Sequence, residues 1–215
     1  HNAIAAAAVA RRRAGAPRLA LMVHSTGLWG GRRTFSWTDR LALRSYDRIV
    51  ALARSHERYL VDREGVDGAR IVIIANGVDA ERFRPAPSAE ARSLMRGALN
   101  LRERDFVVAM VAALRPEKNH ALFIRAAERV RSEIGGCAFL VVGEGTEEHN
   151  LRALAADMRL ESVVRFLGRR DDVPDVLAAC DALVLASHPV VETFPLVVLE
   201  GMSAGLPVVA SDVGS

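Results

Sequence analysis

Short, near-continuous apolar runs punctuate the second half of the chain: FVVAMVAAL (106–114), CAFLVVGEG (137–145), SVVRFLG (162–168), DALVLASH (181–188) and PVVASDVG (207–214). They are rich in β-branched residues and lack polar alternation, as strands buried on both faces do. The stretches between them, about 118–133, 146–158, 173–180 and 195–204, carry helical spacing. Strand and helix alternating at this interval predict a parallel sheet with right-handed crossovers.

The first half repeats the theme less regularly. Residues 2–14 read as an alanine-rich helix stopped at Gly15 and Pro17, and RLALMVHS (18–25) as a short buried strand. A glycine-rich loop, 26–33, leads to a helix over 36–45, then a strand over 48–53. Ser55 is a candidate cap for a helix over 56–64, and 68–79 reads as a strand running into the Asn76-Gly77 turn. FRPAPSAE (83–90), with two prolines and a helix start at Ser88, reads as a linker. The expectation is an α/β protein of two domains, 1–85 and 86–215. The chain opens without Met and stops just after its last strand, so both domains are expected to be incomplete.

Half of the 215 residues are apolar, enough for a buried core and too many for a disordered chain. Cys137 and Cys180 lie in separate apolar stretches without metal-ligand spacing, which suits a reducing compartment. The net charge of +3 is unevenly spread: residues 1–96 carry 17 basic and 9 acidic groups, residues 97–215 carry 12 and 17. A basic half suits an anionic membrane surface or a phosphorylated ligand. Nucleic acid is disfavoured, because aromatics are only 5% and do not interleave with the arginines. No apolar run reaches the roughly 18 residues of a membrane span, and HNAIAAAAVARRR reverses the order of a signal peptide. The expected location is cytoplasmic, with the inner face of the membrane as a docking place.

In open α/β sheets ligands bind beyond the carboxyl ends of the strands, where this chain puts its polar and glycine-rich residues. Gly143-Glu144-Gly145 follows a strand and precedes a helix; it reads either as a tight turn or as a place where backbone approaches a ligand. LRPEKN (114–119) sets Arg115 and Lys118, the only lysine among 29 basic residues, beside an expected helix start whose free N–H groups favour anions. The alternative is surface charge on a loop. In ETFPLVVLE (192–200), Pro195 suits the first turn of a helix, Glu192 precedes it and Glu200 lies inside among apolar neighbours. A carboxylate there needs a partner, which a pair of ribose hydroxyls or a loop cap would supply. His24 ends a strand, as a packed side chain or as a donor to a sugar oxygen. No set of residues has metal-site spacing, and no G-x-S-x-G elbow is present.

Together IIANGVDAERFRP (73–85), LRPEKN (114–119), VVGEGTEEHNLRALA (141–155), VRFLGRRDDVPDVLAACDALVLAS (164–187) and ETFPLVVLEGMSAGLPVVASDVG (192–214) resemble the retaining, nucleotide-sugar-dependent glycosyltransferases of family 4. That resemblance implies a GT-B fold of two Rossmann-like domains with parallel sheets: 1–85 the later part of the acceptor side, 86–215 the donor side. It assigns Glu192 and His24 to catalysis at the donor sugar. It assigns Thr193, Phe194, Pro195 and Leu196 to the sugar and its phosphates, Lys118 with Arg115 to the diphosphate, Gly143 and Gly145 to the nucleotide floor, and Glu200 to the ribose. Two departures stand out. Ala112-Ala113-Leu114 replaces the usual Gly-Arg-Leu, and Thr193 replaces the commonest glycine, which adds a side chain beside the sugar.

The implied activity is that of a bacterial hexosyltransferase of polysaccharide or glycoconjugate synthesis, moving a sugar from a nucleoside diphosphate to a sugar or lipid-linked acceptor with retention. No metal or other cofactor is expected, since no Asp-x-Asp pair is present and Lys118 with helix N-termini can hold the diphosphate. Glu192 and His24 are expected on different domains, meeting at the sugar on closure, and the fragment itself is expected to be inactive. The alternatives are a non-catalytic nucleotide-sugar-binding protein and a sugar-nucleotide epimerase of the same architecture.

Overall fold

The computed structural model describes residues 4, 7, 11, 18–24, 35–188 and 192–213, so most of the expected helix over 2–14 and the loop at 26–33 lie outside the described residues. The chain divides into two compact units, one of His1–Asn76, Pro189–Pro195 and Asp212–Ser215, the other of Gly77–His188 and Leu196–Ser211.

In the first unit, β1 (Ala20–Met22), β2 (Arg48–Ala51) and β3 (Ile71–Ile73) form a parallel three-stranded sheet in that order. Helix α1 (Trp37–Leu43) begins with a reciprocal cap: Asp39 N–H donates to Ser36 Oγ at 3.2 Å, and Ser36 N–H donates to the Asp39 carboxylate at 3.0 Å. Helix α2 (Arg54–Asp62) starts behind Ala53, with no side-chain cap, so Ser55 is not the cap. Ile49, Ala51, Leu43, Tyr46 and Leu60 form the core, and the helical residues Ile4 and Ala7 pack on it. Buried Glu64 is compensated by Arg40, at 2.7 Å, and the Tyr59 hydroxyl, at 2.8 Å, which meet its carboxylate.

The expected strand over 68–79 is shorter than its apolar run suggests. Asp67 accepts a hydrogen bond from Ala69 N–H and caps a 3₁₀ turn at Gly68–Arg70; only Ile71–Ile73 then pairs with β2. Beyond it, Val78 and Phe83 pack in the core of the second unit, and Ser203 Oγ donates to Phe83 O at 2.6 Å. Residues 77–85, expected at the end of the first domain, are therefore part of the second unit.

The second unit has five parallel strands: β4 (Phe106–Val111), β5 (Cys137–Val142), β6 (Val164–Gly168), β7 (Ala182–Leu185) and β8 (Val208–Ala210). Their spatial order is β6-β5-β4-β7-β8. Val108, Met110, Phe139 and Val141 pack on one face, Val107, Ala109, Ala138 and Leu140 on the other. This two-sided burial is why the strands show no polar alternation. Helices α3 (Ala89–Ala98), α4 (His120–Ile134), α5 (Glu148–Asp157), α6 (Val173–Ala178) and α7 (Leu196–Ser203) complete the unit. α3 starts at Ser88, as expected, and Ser88 caps it by accepting from Ala91 N–H. Buried Arg96 fastens α3 down: it donates to Ala179 O at 3.0 Å, Glu103 O at 2.6 Å and the Asp181 carboxylate at 2.7 Å.

Candidate functional site

The order β6-β5-β4-β7-β8 runs outward from β4 in one direction and then resumes on its other side with β7. Such a reversal leaves a crevice beyond the carboxyl ends of the two strands. The loops leaving β4, β5 and β7 converge there. After β4 the chain passes buried Leu114 and exposed Arg115 into a 3₁₀ turn, Pro116–Lys118, then Asn119 in the left-handed conformation, and α4 begins only at His120. Lys118, expected at an exposed helix start, is instead half-buried as the last residue of that turn, with its N–H donating to Arg115 O at 3.0 Å. The loop after β7 is fastened to the same turn, because His188 N–H donates to Glu117 O at 3.0 Å. His120 is buried with neither ring nitrogen hydrogen-bonded, and burial followed by the Lys118 charge pushes its pKa down to about 4, so it is neutral near pH 7.

Gly143 and Gly145 have a specific steric reason. A Cβ at Gly143, whose φ is 138°, would collide with the Ala112 carbonyl, and one at Gly145 would collide with Leu114 backbone. Absent those atoms, Leu114 N–H reaches Glu144 O at 2.9 Å, Glu147 N–H reaches Leu114 O at 3.0 Å, and Gly143 N–H reaches Gly168 O at 2.8 Å. The close approach that the glycines permit is between neighbouring loops, which locks the β4, β5 and β6 ends into one platform. Glu144 stands exposed, 3.9 Å from Arg169.

Glu200 sits half-buried on α7, preceded by exposed Leu196 at the helix start. Burial raises its carboxyl pKa, and the positive charge of Arg82 opposes that rise. The helix lies close on β7, since a Cβ at Gly201 would run into the Leu183 side chain.

The remaining site residues belong to the first unit. His24 is exposed just beyond β1, and Thr193, only 5% exposed, donates its hydroxyl to His24 O at 2.8 Å. Asn76, beyond β3, donates its side-chain amide to Phe194 O at 3.2 Å. Glu192, Phe194 and Pro195 are half-buried. One expectation is thereby corrected, since His24 and Glu192 lie in one compact unit; the Thr193 hydroxyl is bonded to protein backbone. His56 lies buried nearby, its Nδ1 accepting from Leu52 N–H at 3.3 Å; burial, then the charge of His24, pushes its pKa down.

The structure thus brings Arg115, Lys118, Gly143 and Gly145 together on the second unit's loops, with Leu196 and Glu200 on α7. It gathers His24, Glu192, Thr193, Phe194 and Pro195 on the first. His120 and Arg82 are additional, since a lone histidine and one arginine among many carry no signal. Among the described residues no group of three or more His, Cys, Asp or Glu side chains could hold a metal ion.

Parallel α/β sheets with ligand loops at their carboxyl ends define a nucleotide-binding architecture, and here the fold is that of the GT-B glycosyltransferases. The family model described as "Glycosyl transferases group 1" matches residues 91–215, and that described as "Glycosyltransferase Family 4" matches residues 1–82. The chain belongs to the glycosyl transferases of group 1. It is 32% identical over 213 residues to the UDP-Gal:alpha-D-GlcNAc-diphosphoundecaprenol alpha-1,3-galactosyltransferase of Escherichia coli, covering 95% of this chain and 54% of that protein. It is 38% identical over 181 residues to the D-inositol 3-phosphate glycosyltransferase of Salinispora tropica, covering 78% and 37%. Anabaena Alr3699/HepE, solved in complex with UDP and glucose, superimposes with a TM-score of 0.85 at 26% identity, over 99% of this chain and 57% of that one. The chain spans about half the length, or less, of these relatives.

Proposed function

We propose that the protein containing this chain transfers a hexosyl group from a nucleoside diphosphate sugar, a UDP-sugar foremost, to a sugar or lipid-linked acceptor with retention of configuration. The observation that carries the reading is the convergence of Lys118, the glycine platform and the Glu200-bearing helix at the strand-order reversal between β4 and β7. The group 1 match over the same residues, the UDP-galactose named for the E. coli relative and the UDP and glucose held by HepE support it.

In this reading Lys118, with Arg115, neutralises the diphosphate as the bond from the anomeric carbon to the phosphate oxygen breaks and the electron pair leaves with the diphosphate. Glu200 takes the ribose hydroxyls. The backbone of Thr193, Phe194 and Pro195, with Leu196, orients the sugar while Glu192 and His24 meet its hydroxyls. The new bond forms to the acceptor oxygen, whose proton passes to the departing diphosphate. No metal takes part, and Gly143 and Gly145 act by holding the loop floor in place. The basic first half favours work at the inner face of a membrane, where a lipid-linked acceptor resides; no helix among the described residues is long and apolar enough to cross one.

A binding-only protein is the second reading, favoured by Ala113 standing where the resembled family has an arginine and by Arg115 turning toward Glu117, at 4.0 Å. The deciding experiment incubates the full-length protein with UDP-, GDP- and ADP-sugars and a lipid-diphosphate sugar acceptor. Nucleotide release and the anomeric configuration of the product are read by NMR. Product with retained configuration is expected; nucleotide binding without release hands the case to the second reading. Lys118→Ala should weaken UDP binding by about 1–3 kcal/mol, the scale of a lost charge-assisted hydrogen bond, in calorimetric titration.

A further inference from the structure

The segment that begins with Glu192 is held to the first unit by side chains rather than by regular secondary structure. Val23 N–H donates to Val50 O and Ile74 N–H to Ala51 O, which are the last steps of backbone pairing on either side of β2. Just past the first of these, His24 presents its carbonyl and Thr193 Oγ–H fills it at 2.8 Å. Just past the second, Asn76 presents its amide and Phe194 O accepts it at 3.2 Å. Two consecutive residues of the segment are therefore bonded to the carboxyl ends of the two outer strands. A hydroxyl as buried as that of Thr193 needs such a partner, and a glycine at the same position could not supply the bond.

We infer that Thr193 and Asn76 are positioning residues that tie Glu192–Phe194 to the strand ends of the first unit, so that Glu192 and His24 keep a fixed relation as one body. The inference rests on the proposed function for its catalytic consequence. The Thr193 hydroxyl acts through the backbone it anchors, joining Glu192 to His24 and leaving contact with the sugar to other groups. Its effect belongs to the geometry of the reacting groups and not to nucleotide affinity, because Lys118 and Glu200 stand on the other unit.

The test uses Thr193→Val, which keeps the shape and removes the donor, Thr193→Ser, which restores it, and Asn76→Ala, each in the full-length protein. Amide hydrogen exchange is read on the peptide containing residues 192–196, alongside UDP affinity and the kcat and KM for UDP release from UDP-galactose and UDP-glucose. Thr193→Val should speed exchange of that peptide about 10-fold while leaving β4–β7 peptides unchanged. It should lower kcat by roughly 10- to 100-fold, the scale of a small misplacement of reacting groups. UDP affinity should stay within about 2-fold and Thr193→Ser should recover most of the loss. Asn76→Ala should act in the same direction, and the double variant should cost less than the product of the two single effects. Wild-type exchange in Thr193→Val overturns the tether. Equal impairment of Val and Ser variants, or UDP affinity falling in step with kcat, overturns the positioning role. A wild-type protein that neither binds UDP nor releases it from any nucleotide sugar defeats the functional reading and the catalytic consequence with it, while the exchange data still decide whether the tethers hold the segment.

Discussion

Every residue of β5 in the second unit is buried, whereas Met22, Val72 and Ile73 on β1 and β3 of the first remain 39–45% exposed. The second sheet is covered on both faces by separate apolar clusters; among the described residues the first has one. The two units consequently hold the loops that carry the candidate site residues by different means. In the second, glycines let adjacent loops lock backbone to backbone on a packed sheet. In the first, side-chain hydrogen bonds at Thr193 and Asn76 fasten the segment at 192–194. Rigid packing suits groups that hold a charged leaving group in place, and sparse polar tethering is typical of elements that open at low free-energy cost.

The comparison breaks first in the cores. Leu140, fully buried in β5, should cost about 2–5 kcal/mol when replaced by alanine, because the packed surroundings cannot close the cavity. Val72→Ala, on an outer strand of the first sheet and partly solvated, should cost less than about 1 kcal/mol. Urea unfolding of both variants measures this, and equal losses would show that the first unit is packed as tightly as the second.

The same contrast decided what could be read from the amino acids. Strands buried on both faces announce themselves as apolar runs, so all five strands of the second sheet lie where the pattern put them, and α3 starts at Ser88 as expected. In IVIIANGVD the apolar residues continue past Ile73, but Val78 packs in the core of the other unit, and a periodicity cannot tell which core an apolar residue joins. The Lys118 turn escaped for a similar reason: Asn119 at φ 55° separates a 3₁₀ turn from α4, and left-handed residues other than glycine carry little signal. Residue types at the site were legible because loops after strands carry them. The membership of Glu192 and Thr193 in the first unit was not, since it depends on bonds to His24 and Asn76, far away in sequence.

Acid distinguishes the units less strongly. His120 takes up its proton near pH 4 in the folded protein, against an ordinary value of 6.5. Between those values the unfolded chain binds more protons, so stability is full above about 6.5 and falls as the pH drops toward 4. His120→Leu removes two unpaired buried ring nitrogens and should make the protein about 1–2 kcal/mol more stable relative to wild type at pH 5 than at pH 7. His56, lowered in the same direction in the first unit, leaves a residual acid sensitivity in that variant. Denaturant midpoints at the two pH values check it; parallel pH profiles for variant and wild type would mean that His120 is not held neutral by its surroundings.

The smallest effect is the most diagnostic, because its two readouts should move in opposite directions. Burial raises the Glu200 pKa even with Arg82 opposing it, so its ionised form costs stability at neutral pH, a cost relieved as the pH falls through the raised value. Glu200→Gln keeps the shape and removes that charge. Stability at pH 7 should therefore rise slightly, by less than about 1 kcal/mol after allowance for partial solvation. UDP affinity should fall by about fivefold, the difference between a charged and a neutral acceptor for the ribose hydroxyls. A carboxylate kept for structure would give the reverse, a lower midpoint and unchanged affinity. A carboxylate kept for a ligand is one the apo fold holds at a loss, as functional groups commonly are. Thermal melts of the variant at pH 7 and 4.5, beside UDP titration at pH 7, separate these cases, since the stability gain should shrink at the lower pH while the loss of affinity at pH 7 remains.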